Sequence, residues 1–542
     1  MTPSVERTVY LTLLVVSTKS VEQFFSRHAE NYGTMVEVSP ASVGPHREPE
    51  GDAEGSQQAM VPLWINGREE PGSSTFDVVC PHDNQTCWKA ASATTEDAFQ
   101  AVEAAQSAFP NWSKTKPSIR QETLLRAAQL LEGRAEDYAG FMTLEMGAES
   151  GLARYFVLAL SIKMLRDIAY RISSVCGSTP TCQEDGTSAM VCKEPYGVVL
   201  GIAPWNAPYV FGIRAAATAI ATGNTTVLKG SELTPRCYWA IGKAFSDAGL
   251  PNGVLNIIYC RPSDAPEVVN AMIEHPAIRK VNFTGSTNTG RKIGRACGQN
   301  LKPCLMELGG KNSAIVLPDA DLEEAAKACI AGSFLNSGQI CMATDRIIVH
   351  SSIASAFQAT LKRFLSPTHG PSASPTTVIS STSQSRLQSL VSDALSTGAH
   401  LLYGNNDKND DGKSLGVLQQ GSAGGRFAPV VLGGIEENMV IWQEEVFGPV
   451  VGVMIAEDED HAVKMANTTG YGLSAAVFTR DLRKGLALAK RLESGAVHIN
   501  SMTIRDEPAL PMGGVKNSGW GRFNSSSGME EFLVTKVVTW KD

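Results

Sequence analysis

The chain has 542 residues, of which 43% are apolar and 19% charged, a composition that supports a large packed core and excludes a disordered protein. Its formal net charge of -8, with no long Lys/Arg cluster, gives no electrostatic reason to expect a nucleic-acid partner. The length exceeds what one core usually serves, so two domains are expected.

Residues 9–16 are apolar, but the run is far shorter than the roughly 20 residues that span a bilayer, so no membrane span is expected. Glu6 and Arg7 cancel where a secretory leader would be basic, and the sequence around Ser17 is a poor cleavage site. The expected location is cytoplasmic, with an N-terminal targeting segment as the alternative. Residues 39–58 are rich in Pro, Gly, Glu and Ser and read as flexible, and core sequence begins near Met60, so 1–60 are expected to be either a flexible extension ahead of the core or the result of an incorrectly assigned start. Beyond Met60 helical and strand patterns alternate, as in an α/β protein. Helical spacing covers 98–109 and 118–131. Apolar runs at 196–202 and 225–229, about a helix apart, make a strand, helix, strand unit of a parallel sheet, and a third such unit ends at Phe283. The peptide 285–290 then opens a helix whose amide-rich N-terminus suits a pyrophosphate, although Gly-x-Gly-x-x-Gly spacing is absent. The Gly, Asn, Asp and Ser-rich stretch 404–426 reads as a surface insertion. Residues 532–540 have strand composition; an exposed apolar edge strand is a liability that a second subunit would cover.

Three polar residues stand out against this frame. Cys341 lies in Gly338-Gln339-Ile340-Cys341-Met342-Ala343, where small neighbours leave backbone amides room to approach a thiol that must ionise to act as a nucleophile. Taken alone, one cysteine of eleven is more often a small core residue. Glu307 precedes a Gly309-Gly310 pair that permits close backbone approach, and by itself would read as a surface acid. Asn206 is held between Pro204 and Pro208, so its amide is fixed well enough to donate to a developing oxyanion; its plain reading is a loop asparagine. The cysteines form no Cys-x-x-Cys pair and no metal-ligand pattern with histidine, which points to a reduced compartment and no metal.

The peptides Pro204-Trp205-Asn206-Ala207-Pro208, Lys229-Gly230-Ser231-Glu232, Phe283-Thr284-Gly285-Ser286, Glu307-Leu308-Gly309-Gly310-Lys311, Gly338-Gln339-Ile340-Cys341, Glu445-Val446-Phe447-Gly448-Pro449 and Gly513-Gly514-Val515-Lys516 resemble, in order and spacing, those of the aldehyde dehydrogenase superfamily. The resemblance runs from about Val61 to the C-terminus. It implies an α/β fold with a Rossmann-type NAD-binding domain (61–171 and 195–308), an α/β catalytic domain (309–508), a return segment (509–524) and a β oligomerisation arm (172–194 and 525–542), hence a homodimer or homotetramer. It also implies roles. Cys341 attacks the aldehyde, the Asn206 amide and the Cys341 backbone amide hold the oxyanion, hydride passes to the nicotinamide, and Glu307 activates the water that hydrolyses the thioester. Lys229 and Glu232 would bind ribose hydroxyls, Trp205 and Ser286 the pyrophosphate, and Glu445 and Phe447 the nicotinamide ribose and ring. Ile202, Pro204, Ser231, Gly285 and Leu308 complete the cofactor site. A carboxylate at Glu232 repels a 2′-phosphate, which favours NAD, with NADP as the alternative.

Phe523 follows Gly521-Arg522, where many relatives carry an acid. The peptide from Asp506 to Pro511, together with Ala207 and Arg214, resembles the salicylaldehyde, vanillin and benzaldehyde dehydrogenase branch, so the implied substrate is an aromatic aldehyde. Ala207, Phe211 and Arg214 share a helix face and, with Ile340 and Met342 beside the thiol, are the candidate substrate residues. Two rivals stand beside this reading: a CoA-acylating dehydrogenase, which would not need Glu307 as a base, and a structural homologue that has lost catalysis.

Overall fold

The computed structural model describes residues 60–366, 376–404 and 425–542. The N-terminal extension to residue 59, and the 404–426 insertion apart from its ends, lie outside the described residues. Strands β1 (Leu63–Ile65) and β2 (Arg68–Glu70) begin the larger sheet as an antiparallel pair. Four helices follow: α1 (Thr95–Trp112), α2 (Pro117–Gly133), α3 (Ala135–Met146) and α4 (Ala159–Arg171). Thr94 starts α1 by a reciprocal cap with Asp97, and Pro117 occupies the first turn of α2, where a missing N–H costs nothing.

After the arm strand β3 (Thr187–Pro195), the chain alternates strand and helix: β4 (Val198–Ile202), α5 (Pro208–Ala221), β5 (Thr225–Lys229), α6 (Pro235–Asp247), β6 (Leu255–Ile258), α7 (Ala265–Glu274), β7 (Ile278–Thr284), α8 (Thr287–Gln299) and β8 (Cys304–Glu307). Strands β4 and β5 are buried along their whole length, and β4 accordingly reads as an unbroken apolar run, while β5 admits Thr225, Thr226 and, at its end, Lys229. A second parallel set comprises β9 (Asn312–Val316), β10 (Thr344–His350), β11 (His400–Tyr403), β12 (Val430–Gly433), β13 (Val450–Ala456), β14 (Ser474–Phe478) and β15 (Ala496–Ile499). Its order is β11-β12-β13-β10-β9-β14-β15, antiparallel only at β11.

The last segments return to the first sheet. β16 (Gly519–Trp520) pairs antiparallel with β8, setting Gly519 opposite Glu307. The first sheet then runs β16-β8-β7-β4-β5-β6-β1-β2. From β4 the chain builds outward through β5 and β6, then crosses back to place β7 on the other side of β4. Such a reversal opens a crevice at the carboxyl ends of the two strands, where open α/β sheets take ligands. Asn206 follows β4 and Ser286 follows β7, so both stand at this crevice. β17 (Leu533–Lys541) pairs with β3 in a two-stranded arm, from Leu533 opposite Pro195 to Lys541 opposite Thr187. Among the described residues no helix is long and apolar enough to cross a membrane.

Candidate active site

Cys341 is presented by an unusual stretch of backbone. Asn336, Ser337 and Gly338 all have positive φ, at 53°, 56° and 68°. A Cβ on Gly338 would lie 2.2 Å from the Gly448 carbonyl, so only glycine fits there. Across from it, a Cβ on Gly310 would lie 2.4 Å from the Cys341 carbonyl, which explains the second glycine after Glu307. That carbonyl and the Ala343 carbonyl each accept from Asn312 Nδ2 at 2.8 Å, tying the cysteine loop to β9.

The Cys341 thiol donates to Glu307 Oε1 at 3.2 Å. Glu307, at the end of β8, is 1% exposed, and its Oε2 accepts from Arg214 Nη1 at 2.9 Å and from Thr284 Oγ1 at 3.5 Å. Burial raises the Glu307 carboxyl above the ordinary range, opposed by Arg214 and by the thiol hydrogen bond. Burial and the neighbouring Glu307 likewise push the Cys341 thiol well above the usual thiol range. The thiol and the carboxyl thus both hold a proton more firmly than free side chains do, and one hydrogen bond joins them.

Asn206 is 4% exposed and its Nδ2 donates to the Gln339 carbonyl at 2.9 Å. One of its two amide hydrogens is thus engaged in orienting the side chain, and the amide faces the same cavity as Cys341. Arg214 lies on the cavity too, with both terminal nitrogens engaged by acids. Nη1 is held by Glu307 and Nη2 by Asp506, while Nε is buried without a partner. All fourteen residues of α5 are buried, and a guanidinium in such a helix requires compensating charge.

The cavity is partly open to solvent, spans roughly 560 Å³ with that open space included, and is mainly apolar. Ala207, Phe211, Ile340 and Met342, expected at the substrate, all line it. Sequence reading missed Leu152, Phe156, Val157 and Leu160 on the facing wall, as well as Ile504 and Met512. The signal was present in part, since 152, 156 and 160 are spaced four apart. What spacing did not reveal is that Ala153–Leu158 is a π-helical turn, whose extra residue per turn brings Phe156 and Val157 to the cavity together.

The expected cofactor residues sit at the ends of β4 and β5, on the segments that follow β4, β5, β7 and β8, and on the peptide before β13, where Glu445 comes near enough to Cys341 to act on its thiol. Lys229 Nζ and Glu232 Oε2 stand 3.6 Å apart at the end of β5, and Ser231 Oγ accepts the Leu233 amide. Ser286 is exposed and caps α8 by accepting from the Thr289 amide, so its hydroxyl is already engaged by the helix. Trp205 meets the edge of Phe447 at 5.7 Å between ring centres, and Phe447 holds a φ of 48°, rare for an aromatic residue. Glu445 Oε1 accepts from the Gly310 amide at 3.1 Å, and burial raises its carboxyl to about 8. Ile202 and Pro204 lead from β4 to Trp205, and the Pro204 carbonyl accepts from Tyr238. Gly285 and Leu308 join β7 and β8: the Gly285 amide donates to the Glu307 carbonyl, and Leu308 packs where a Cβ on Gly290 of α8 would stand. Lys311, buried against Asp345 at 3.3 Å, was not expected to matter; Asp345 also accepts from the Val446 amide, so the pair fixes the Glu445 and Phe447 peptide.

A parallel sheet with a ligand crevice at its switch point, and a half-buried thiol beside a buried carboxylate in an apolar cavity, define an α/β enzyme acting on a small organic substrate. The profile described as Aldehyde dehydrogenase family matches residues 68–538. The chain belongs to that family and is an oxidoreductase acting on aldehydes. It is 41% identical to a vanillin dehydrogenase of Pseudomonas fluorescens over 489 residues, covering 88% of this chain and 97% of the relative. A crystal structure of a salicylaldehyde dehydrogenase from Pseudomonas putida G7, complexed with salicylaldehyde, superposes with a TM-score of 0.83 at 34% identity, covering 89% of this chain and 98% of that one. A betaine aldehyde dehydrogenase from Staphylococcus aureus in complex with NAD+ superposes with a TM-score of 0.82 at 31% identity, covering 89% and 96%.

Proposed function

We propose that this enzyme oxidises an aromatic aldehyde of the hydroxybenzaldehyde kind to its carboxylic acid, with NAD as the preferred hydride acceptor, through a thiohemiacetal and a thioester on Cys341. The contact that carries the reading is the 3.2 Å hydrogen bond from the Cys341 thiol to Glu307 on the floor of the apolar cavity. The names of the vanillin and salicylaldehyde relatives support the aromatic class.

The crevice residues fit a dinucleotide by the chemistry of their side chains. Lys229 and Glu232 offer a donor and an acceptor to ribose hydroxyls, the α8 N-terminus offers amides to an anion, and Glu232 disfavours a 2′-phosphate. Trp205 and Phe447 border the path toward the thiol, with Glu445 beside them. NAD, when bound, supplies the hydride acceptor that turns the thiohemiacetal into the thioester. The chain's own groups do the rest. Glu307 takes the Cys341 proton as sulfur attacks the carbonyl carbon, and the remaining Asn206 amide hydrogen stabilises the oxyanion. Glu307 gives the thiol proton up to solvent while the thioester stands, and as a carboxylate again removes a proton from water for hydrolysis; a carboxyl raised above its ordinary value is a stronger base. Joined in the β3–β17 arm, the exposed Val537 and Trp540 favour a homo-oligomer.

The purified enzyme, mixed with benzaldehyde, salicylaldehyde, vanillin and a set of aliphatic aldehydes, with NAD or NADP and with or without CoA, tests the reading by absorbance of the reduced cofactor. Faster turnover of aromatic aldehydes with NAD, independent of CoA, is expected. Preference for aliphatic substrates removes the aromatic assignment, a requirement for CoA replaces hydrolysis with acyl transfer, and no turnover of any aldehyde removes catalysis.

A further inference from the structure

We propose that Asp506 is a positioning residue: it holds the Arg214 guanidinium between two carboxylates, so that Glu307 receives one hydrogen-bonding arm and part of the cation rather than the whole. The inference rests on the assignment of Glu307 as the proton acceptor of the site. Arg214 is the one charged residue of a fully buried helix, and its side chain is 1% exposed. Its guanidinium is flanked by the rings of Phe211 and Phe523, with its central carbon 5.3 and 5.4 Å from their centroids. Between these rings its two terminal nitrogens point to different acids, Nη1 to Glu307 and Nη2 to Asp506. Asp506 is itself held in place, because its Oδ1 accepts from Asn524 Nδ2 at 2.8 Å. Asn524 sits at φ 58° at the head of the short helix after Phe523, so the acid, the amide that fixes it and the ring against the cation come from two neighbouring loops.

The arrangement answers a chemical need. Glu307 must first take the thiol proton and later activate water, and a buried carboxylate facing an uncompensated guanidinium would be held too firmly as a weak, ionised base. With Asp506 bound to the second arm, the group of three carries one net negative charge, and Arg214 can orient Glu307 without removing its basicity. The charged or titratable groups that face the reacting pair are Arg214 and Asp506 around Glu307, and Arg214 and Glu445 around Cys341. Of these, Arg214 favours proton loss, and Asp506 and Glu445 oppose it.

Replacing Asp506 by Asn keeps the size of the side chain and a carbonyl acceptor for Arg214 while removing the charge. The proton affinity of the coupled Cys341 and Glu307 pair should then fall. The readout is the rate of iodoacetamide alkylation at Cys341 against pH, followed by mass spectrometry of its peptide, in enzyme without aldehyde. The midpoint in Asp506→Asn should move down by roughly one pH unit, the size of shift a nearby charge produces. Arg214→Met should move it up, and Asp506→Glu should restore the wild-type midpoint. The acid limb of steady-state turnover in Asp506→Asn should shift in the same direction as alkylation, with a lower plateau. An unmoved midpoint in a folded Asp506→Asn enzyme overturns the proposal. If that variant does not fold, a midpoint that fails to rise in Arg214→Met overturns it equally. Because alkylation needs neither aldehyde nor cofactor, an enzyme that oxidises no aromatic aldehyde would refute the proposed function and leave this test standing.

Discussion

In the proposed reaction one carboxylate serves two proton transfers, and the reactivity of Cys341 then depends on Glu307 rather than on an intrinsically acidic thiol. Glu307→Gln should slow both phases of turnover but the second more, giving a burst of NADH followed by a slower steady state in rapid-mixing experiments. Equal losses in burst and steady state would show that hydrolysis is not its principal task. The pH dependence has a definite sign. Burial raises the Glu307 carboxyl above the ordinary 4.5, and the basic form accumulates as pH rises through that elevated value. Wild-type hydrolysis should climb with pH on its acid side, and Glu307→Gln should lose that limb. That Asn206, Glu307 and Cys341 come to one cavity was legible in the sequence because each sits in a peptide whose glycines or prolines have a geometric purpose, as Gly310 and Gly338 show. The partners of Arg214 were not legible. Its helical face was read correctly, but which acid lies opposite a buried arginine depends on long-range packing, and Asp506 is contributed by a loop distant in sequence.

Among the elements, α6 shows how the cofactor crevice is held by a residue far from it. Thr234, ahead of the helix, makes no side-chain cap; Glu145 at the end of α3 replaces it, accepting from the Arg236 amide at 2.7 Å, the Cys237 amide at 3.0 Å and Trp88 Nε1 at 2.9 Å. Burial raises this carboxyl to about 7, and the hydrogen bonds to the two helix amides and Trp88 oppose the rise. Glu145→Ala leaves three buried donors unsatisfied and should destabilise the fold by about 3 kcal/mol, given the usual cost of stranding such groups. Chemical denaturation followed by fluorescence would measure this, and a loss under about 1 kcal/mol would mean that water replaces the carboxylate. NAD affinity should weaken as well, because α6 begins just after the Lys229 to Glu232 peptide. The strand and helix alternation was readable because buried parallel strands leave apolar runs and crossing helices leave a 3.6-residue period. The Glu145 cap was not readable, since nothing local distinguishes a glutamate that caps a remote helix from one that faces water. Nor was the π-helical turn, because one additional residue in a helix looks in sequence like a small error of phase.

For the whole molecule, the arm formed by β3 and β17 leaves apolar side chains without cover. Val537 is 62% and Trp540 47% exposed, with Val534 and Val538 beside them. In the proposed homo-oligomer this arm is the joint, and changing Val537 and Trp540 together to Lys should then shift the enzyme from oligomer to monomer in sedimentation velocity at micromolar concentration. An unchanged sedimentation coefficient would place the interface elsewhere. Both variant and parent should retain Cys341 alkylation if the subunit fold is independent of assembly.

The placement of β16 and β17 has a consequence for how the protein is made. The first sheet can assemble through β8 well before synthesis ends, yet its outer edge beside Glu307 is closed only by Gly519–Trp520, and β3 finds its partner only in Leu533–Lys541. A ribosome still translating the second sheet therefore carries a nascent chain with one open sheet edge and one unmatched ribbon, both able to pair wrongly with a neighbour. Chains stopped short of these last strands are the species that chaperones must shield, and a C-terminal truncation should fail first in yield of soluble protein rather than in chemistry.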